Sequence, residues 1–263
     1  MPELPEVENE RRTFARRAAG RTVARVLVAD PTIVRNVSAA ALVGTLCGRT
    51  FEQPGRRGKW LLCPAGGPTL VLHFGMTGEL VWSGDEPDRH RHDRLILVLD
   101  DGELRYRNMR KLGGAWLASD QPELAAILNG LGPDALEVTE AGFLSLLERR
   151  RGGVKAALMD QGLVAGIGNL LADEILWQAR LHPRTRMERL TERRRRELFD
   201  VLQRVLHIAV DDFDYIERHR EWLNHVRGRP GAICPRCGSA LRQTAAAGRT
   251  TYFCPRCQRA PRR

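Results

Sequence analysis

Over residues 5–19, apolar side chains fall at Val7, Phe14, Ala15 and Ala18, and Gly20 follows. That spacing places the four on one face of a helix, and the glycine marks its stop. The period then changes. Apolar and β-branched residues cluster in short runs at 22–29, 49–53, 59–63, 69–74, 95–100, 103–107 and 115–118. Turn signals separate the runs, among them Pro54-Gly55, Gly66-Gly67-Pro68 and Asp100-Asp101-Gly102. Short runs bounded in this way read as strands. Together they predict a β-sandwich or barrel with the first helix packed on it.

After Ser119 the helical period returns, in segments 121–129, 139–150, 154–160, 169–179 and 191–211. The last aligns Leu198, Val201, Leu202, Val205, Ile208 and Ala209 on one side. The charged run 193–196 reads as its solvated face. The expected architecture is therefore α+β. A β-sandwich domain spans 1–119, a mainly helical domain 120–226, and a small terminal unit 227–263.

A chain of 263 residues, 43% of them hydrophobic, can build real cores, which argues against wholesale disorder. No run approaches the roughly 18 apolar residues a membrane helix needs. The opening MPELPEVENE lacks the apolar stretch of a secretory signal. A cytoplasmic protein is expected. The net charge of +10 draws polyanions, of which nucleic acid is the commonest. Lysine occurs only at 59, 111 and 155, so nearly all the positive charge is arginine, whose planar fork grips phosphate with two bonds.

Of the six cysteines, Cys47 and Cys63 stand alone and read as core fillers. Cys234-x-x-Cys237 and Cys254-x-x-Cys257 are separated by sixteen residues. Each pair aims two thiolates at one point, and two pairs complete a closed tetrahedral shell for one structural Zn²⁺. Two disulfides or an iron–sulfur cluster are the alternatives. A hairpin of 240–244 and 250–253 is expected between the pairs, with Ala-Ala-Ala-Gly at its tip.

Met1 precedes Pro2, and methionine before a small residue is normally trimmed. Trimming exposes a secondary amine. An α-amine titrates near 8, so a useful fraction is neutral at pH 7. Such an amine can attack a sugar C1′, displace a base and leave an iminium. Glu3 and Glu6 lie beside it, one to donate a proton and the other to orient the amine.

The opening MPELPEVE and the terminal four-cysteine finger resemble the bacterial formamidopyrimidine-DNA glycosylase/endonuclease VIII family. So do GRRGKWLL (55–62), LHFGMTGEL (72–80), HDRLILVLDDGELRYRNMRKLG (92–113) and KAALMDQGLVAGIGNLLADEIL (155–176). The opening favours the formamidopyrimidine branch. The resemblance implies a catalytic β-sandwich, a helix–two-turn–helix DNA-binding domain and a zinc finger. The partner is duplex DNA with a damaged base or abasic site, bound by a monomer. It implies a bifunctional DNA glycosylase/AP lyase of base excision repair, working through a Schiff base and β,δ-elimination.

By that resemblance Pro2 is the nucleophile and Glu3 the acid assisting base loss and ring opening. Lys59 grips a phosphate and takes part in β-elimination. Arg249 matches the finger arginine linked to phosphate binding and δ-elimination. His92, Arg110, Arg150, Lys155 and Asn169 match DNA-contacting positions. Asn169 follows Gly166-Ile167-Gly168 at a helix start that favours phosphate. Met76, Arg110 and Leu112 match the triad that fills the hole left by an extruded base.

The chain departs from the family in four places. Leu112 replaces an aromatic, Gly113-Gly114 adds a glycine, and Asn108-Met109 stands where the family has Asp-Pro. The segment 212–233 is short and charged where members that excise 8-oxoguanine carry a longer capping loop. A loss of 8-oxoguanine preference is the expectation. Two further readings remain: the same class acting on oxidised pyrimidines or bulky adducts, and a non-enzymatic zinc-finger DNA binder.

Overall fold

A computed structural model describes residues 2–84, 89–148 and 150–260. It divides into two compact units, Met1–Asn129 and Gly130–Arg263.

In the first unit, helix α1 (Leu4–Arg17) opens with a reciprocal capping box between Glu3 and Glu6, with proline in its first turn. Both features satisfy or remove orphan backbone donors. Arginines 16 and 17 sit in its last turn, where they complement the dipole. Leu4, Val7 and Phe14 are buried. Two four-stranded antiparallel sheets follow. The first contains β1 (Arg25–Val28), β5 (Gly78–Ser83), β6 (Asp93–Leu99) and β7 (Gly102–Asn108), in the order β1-β6-β7-β5. The second contains β2 (Gly55–Arg57), β3 (Trp60–Pro64), β4 (Thr69–His73) and β8 (Gly114–Ala118), in chain order.

One hydrophobic cluster joins the sheets to α1. Phe14 meets Phe51 edge-on at 4.9 Å, among Leu61, Leu72, Leu97 and Leu104. Burying each such side chain contributes about 1.5–3 kcal/mol. This is the α+β sandwich that the alternating runs predict. Cys63 is fully buried in the cluster and Cys47 packs against it, as expected of core fillers.

Local differences have local causes. Residues 39–46 form an unanticipated helix, α2 (Ala39–Leu46), whose cap is Ser38 accepting from the Ala41 amide at 3.1 Å. The expected strand at 49–53 reduces to a single bridge between Thr22 and Thr50. β5 carries a weak alternation of its own and is imposed by its register with β7, from Gly78↔Asn108 to Ser83↔Glu103. Helix α3 (Gln121–Ile127) packs on β8.

The second unit contains α4 (Glu140–Glu148), α5 (Val154–Met159), α6 (Asn169–Gln178) and α7 (Glu192–Asp211), followed by the short α8 (Tyr215–Arg218) and α9 (Leu223–Val226). α6 is its axis. Residues 171–177 are all buried, and α5, α7 and α9 pack around them. On α7, Arg193 and Arg194 pair with Glu197, and Arg196 with Glu192 and Glu140, the solvated face expected of that run. The hairpin of β9 (Arg242–Ala246) and β10 (Arg249–Phe253) packs on α6. Its tip is Ala247-Gly248, both at positive φ (53° and 68°), as a two-residue turn of right-handed twist demands. The strands therefore reach further than 240–244 suggests. Among the described residues no helix is long and apolar enough to cross a membrane.

Candidate DNA-repair site

Pro2 immediately precedes the cap of α1. The Glu3 amide donates to Glu6 Oε2 at 2.8 Å, and the Glu3 side chain is fully buried. The capping box fixes both carboxylates in sequence beside the proline, and α1 packs on β2, β3 and β5. Arg56 of β2 donates to Glu8 Oε2 of α1 at 3.2 Å. Burial alone would raise the Glu8 carboxyl, but Arg11 and Arg56 outweigh it and hold it below its ordinary range. The β2–β3 turn is thereby tied to the helix that follows Pro2. Lys59 lies in that turn, after Gly58 at φ 56°. Burial and the Lys59 charge pull His73 down to about 4. The neutral imidazole accepts from the Gly75 amide through Nδ1 at 3.3 Å, at the root of the loop bearing Met76.

Two loops carry Met76, Arg110 and Leu112, and the structure brings them together. Arg110 Nη1 donates to Met76 Sδ at 3.3 Å. Met76 is 38% exposed and Leu112 55%, so neither is a core residue. A Cβ on Gly75 (φ 62°) would meet the Gly113 amide at 2.4 Å, and one on Gly113 would meet the His73 carbonyl at 2.0 Å. The loops cross too closely for side chains at either position. Asn108, fully buried, sits between them. Its Nδ2 donates to the Tyr106 hydroxyl (2.7 Å) and the Phe74 carbonyl (3.3 Å), and its Oδ1 accepts from the Lys111 amide (2.9 Å). Its own amide donates to the His92 carbonyl at 2.9 Å, which fixes His92 beside this crossing. Sequence reasoning treats Asn108 only as a departure; nothing in one sequence signals that it ties two loops.

In the second unit, Asn169 is the first residue of α6, after the Gly168 cap. Its Oδ1 accepts from Lys155 Nζ at 2.6 Å, and its Nδ2 donates to the Thr250 carbonyl at 3.2 Å. Thr250 adjoins Arg249, which is exposed at the start of β10. Asn169 and Arg249 are thus held at one end of the unit. Lys155, expected at a DNA-contacting position, is buried rather than presented at the surface. Its side chain is 1% exposed, and its ammonium is taken by Asn169, Asp173 and Thr251, each at 2.6 Å. Lys155 holds Asn169 in place. Asp173, which sequence reasoning misses, also accepts from Arg227 Nε at 2.9 Å and the Tyr252 amide at 3.2 Å. Arg150 is half-exposed and paired with Asp160.

The four finger cysteines place their sulfurs within 4.8 Å of one another, with Cys237–Cys254 at 3.5 Å and Cys234–Cys257 at 3.9 Å. Tetrahedral Zn–S bonds of about 2.3 Å require sulfurs about 3.8 Å apart, so the set fits one zinc. Burial, and then the neighbouring sulfurs, push the Cys257 thiol up to about 12. Thiolates this close are stable only around a cation. One structural zinc therefore completes the finger, with no open position for catalysis. Trp177 of α6 donates to Cys234 Sγ at 3.4 Å, which seats the finger on that helix.

Three family models match the chain. They are the formamidopyrimidine-DNA glycosylase N-terminal domain over residues 1–115, its H2TH domain over 130–218, and a zinc finger found in FPG and IleRS over 234–260. Curated relatives named formamidopyrimidine-DNA glycosylase include that of Symbiobacterium thermophilum, 40% identical and covering 99% of this chain and 90% of the relative. That of Nocardioides sp. is also 40% identical, covering 100% and 96%. Similar solved structures include Lactococcus lactis Fpg in complex with DNA containing N7-benzyl-Fapy-dG (TM-score 0.88, 32% identity). Another is the same protein with abasic-site DNA (TM-score 0.89, 32% identity). Each covers 98% of this chain and 100% of the other.

Proposed function

The chain belongs to the formamidopyrimidine-DNA glycosylase family, and from that premise we propose that Pro2 is the nucleophile of a bifunctional glycosylase/AP lyase. The protein is a DNA glycosylase of base excision repair. The observation that carries the assignment of residues is the buried Glu3 carboxyl group, fixed by the capping box directly after Pro2.

The trimmed proline nitrogen attacks C1′, and the glycosidic bond breaks with its electrons leaving on the base. Glu3 supplies a proton as the ring opens to an iminium. Loss of a 2′ proton then expels the 3′ phosphate, and a second elimination expels the 5′ phosphate. Lys59 and Arg249 serve these steps by gripping phosphate, with the amide groups at the start of α6 and Asn169 holding a third. Met76, Arg110 and Leu112 fill the space of the extruded base. His92 and Arg150 add backbone contacts. The place of action is the bacterial nucleoid.

We assign the substrate class as oxidised or ring-opened bases, with a weakened preference for 8-oxoguanine. Leu112 offers no ring to stack. The segment after α7 folds into α8 and α9 with Tyr215, Trp222 and Leu223 buried, which supports no free capping loop there. A non-enzymatic binder is the competing reading.

Borohydride trapping on an abasic-site duplex separates the readings. Trimmed protein should give a stable crosslink through its N-terminus, and Pro2→Gly should give far less. No crosslink from correctly trimmed protein would favour the binder. Efficient 8-oxoguanine excision that depends on the opposite base would overturn the lesion assignment.

A further inference from the structure

The second unit has two unlike ends. At one, Asn169 opens α6 and is bonded to Thr250 beside Arg249. Ten residues later, about 15 Å along the axis, α6 ends and Arg180 follows. Here the finger's knuckles close on the helix, with Gln258 Nε2 donating to the Leu181 carbonyl at 2.8 Å. This far end carries a basin of about 670 Å³ lined by Arg180, Arg236, Arg256 and Arg259, together with Cys237 and Cys257.

Three observations make this more than a charged surface. Among the described residues no carboxylate lines the basin, and only Arg236 feels one behind it, its charge reaching the Glu174 carboxyl. A zinc held by four thiolates carries a net charge of minus two, so four guanidiniums exceed what the finger needs. Arg180 occupies the left-handed region at φ 54°, a conformation that costs a non-glycine residue about 1 kcal/mol or more. The backbone thus holds a long cationic side chain where glycine would rest without strain. Arg236 is preset as well. Its guanidinium stacks on Trp177 at 4.0 Å and donates to the Trp177 carbonyl at 3.0 Å, leaving its outer edge toward the basin.

We propose that this basin is a second phosphate site for nucleic acid, separate from the Asn169–Arg249 end, through which the protein engages a second DNA segment while the first is still bound. The inference rests on the reading of the chain as a DNA glycosylase only in taking duplex DNA as the ligand. Arginine forks suit phosphodiester oxygens, and the lack of carboxylates suits a polyanion. Such a site lets the protein pass directly from one duplex to another without visiting free solution.

The test is a chase. Protein holding a fluorescent duplex with an abasic-site analogue is mixed with rising concentrations of unlabelled lesion-free duplex, and the loss of the labelled duplex is timed. Direct transfer makes the loss rate climb with chase concentration. The climb should weaken roughly tenfold between 50 and 200 mM salt if two phosphates are gripped. The variant Arg180→Gly/Arg259→Ser should abolish the climb. Glycine suits the backbone at 180, and thermal melting checks the fold. Borohydride crosslinking by the variant should match the parent, which separates this site from the catalytic reading. A rate independent of chase concentration in the parent overturns the proposal, as does an undiminished climb in the variant. An equal climb with a poly-glutamate peptide also overturns it, since the basin would then serve acidic protein segments.

Discussion

Lys155 Nζ lies 2.6 Å from the Asp173 carboxylate, with the two side chains 1% and 0% exposed. A pair this dry is held by completeness. The ammonium spends its donors on Asp173, Asn169 and Thr251, while Asp173 also takes Arg227 and the Tyr252 amide. The pair thereby joins α5, α6 and the finger hairpin. Replacing Lys155 with Met leaves a buried carboxylate short of a partner, and removing one member of such a pair costs about 3–5 kcal/mol. Denaturant unfolding of the Lys155→Met protein should show that loss. DNA affinity should fall with it, because Asn169 loses the donor that orients its amide. A change under about 1 kcal/mol would mean that Arg227 alone satisfies Asp173.

Leu112 has the opposite character. It is 55% exposed and supports no core, so Leu112→Ala should leave stability within about 0.5 kcal/mol. Its expected role lies in holding the duplex open after a base swings out, which costs a few kcal/mol of stacking. Base excision should therefore slow by about tenfold, the equivalent of about 1.4 kcal/mol. Cleavage at a preformed abasic site, where no base must be unstacked, should change less. Single-turnover rates on the two substrates check the split. Leu112→Phe, which restores a stacking ring, should speed excision.

The contrast between these residues shows what a single sequence reveals. The sandwich, the helical unit, the finger and the Pro2–Glu3 start are legible, because each is written as a local period or a local motif. The capping box and each cysteine pair span four residues. What stays hidden is made by distant pairing. β5 exists because β7 lies beside it, and Asn108 matters because the loop after β4 crosses the loop after β7. Lys155 reads as a DNA-contacting cation, and only the fold buries it against Asp173, 18 positions away, and Thr251, 96 away. Helix α2 is the exception that could have been found, since Ser38 stands as a cap before an apolar run.

Two carboxyls, the fully buried Glu174 and the half-buried Glu10, set the response to pH. Burial pushes Glu10 up to about 8, despite the Leu80 amide that donates to it, with Glu79 adding to the rise. Burial likewise pushes Glu174 up to about 7, against the bonds from Gln178 and Asn224. Both folded values lie above the ordinary 4.5, so the fold holds protons that the unfolded chain has released. Their stabilising contribution is full below about pH 4.5. It falls as pH rises and is lost once pH passes about 7 for Glu174 and about 8 for Glu10. Each group can contribute a slope of at most about 1.4 kcal/mol per pH unit. Unfolding free energy measured from pH 5 to 8.5 should decline, and Glu10→Gln with Glu174→Gln should flatten the decline. An unchanged slope in the double variant would show that both carboxyls ionise freely in the native protein.

Removing zinc should disable DNA binding while leaving the first unit folded. The finger's own apolar support is small: Cys234 and Cys254 cluster with Trp177 and Leu223, and Phe253 packs edge-on against His182. A lone two-stranded hairpin is marginal in water, so β9 and β10 depend on the metal to hold their ends. Without it, Arg249 and the Thr250 carbonyl lose their place beside Asn169. Chelation, or Cys254→Ser, should therefore weaken duplex binding by about tenfold or more, as expected when several phosphate contacts go together. Trp177 gives an internal reporter, because its indole loses Cys234 and the stacked Arg236 as the finger opens. Its fluorescence should change in step with affinity as zinc is withdrawn, and both should return on adding zinc back. The melting of Met1–Asn129, whose core contains none of these cysteines, should not move. Full DNA affinity in protein verified as zinc-free would show that the hairpin stands without its metal and that the support comes from Asp173 and Lys155 instead.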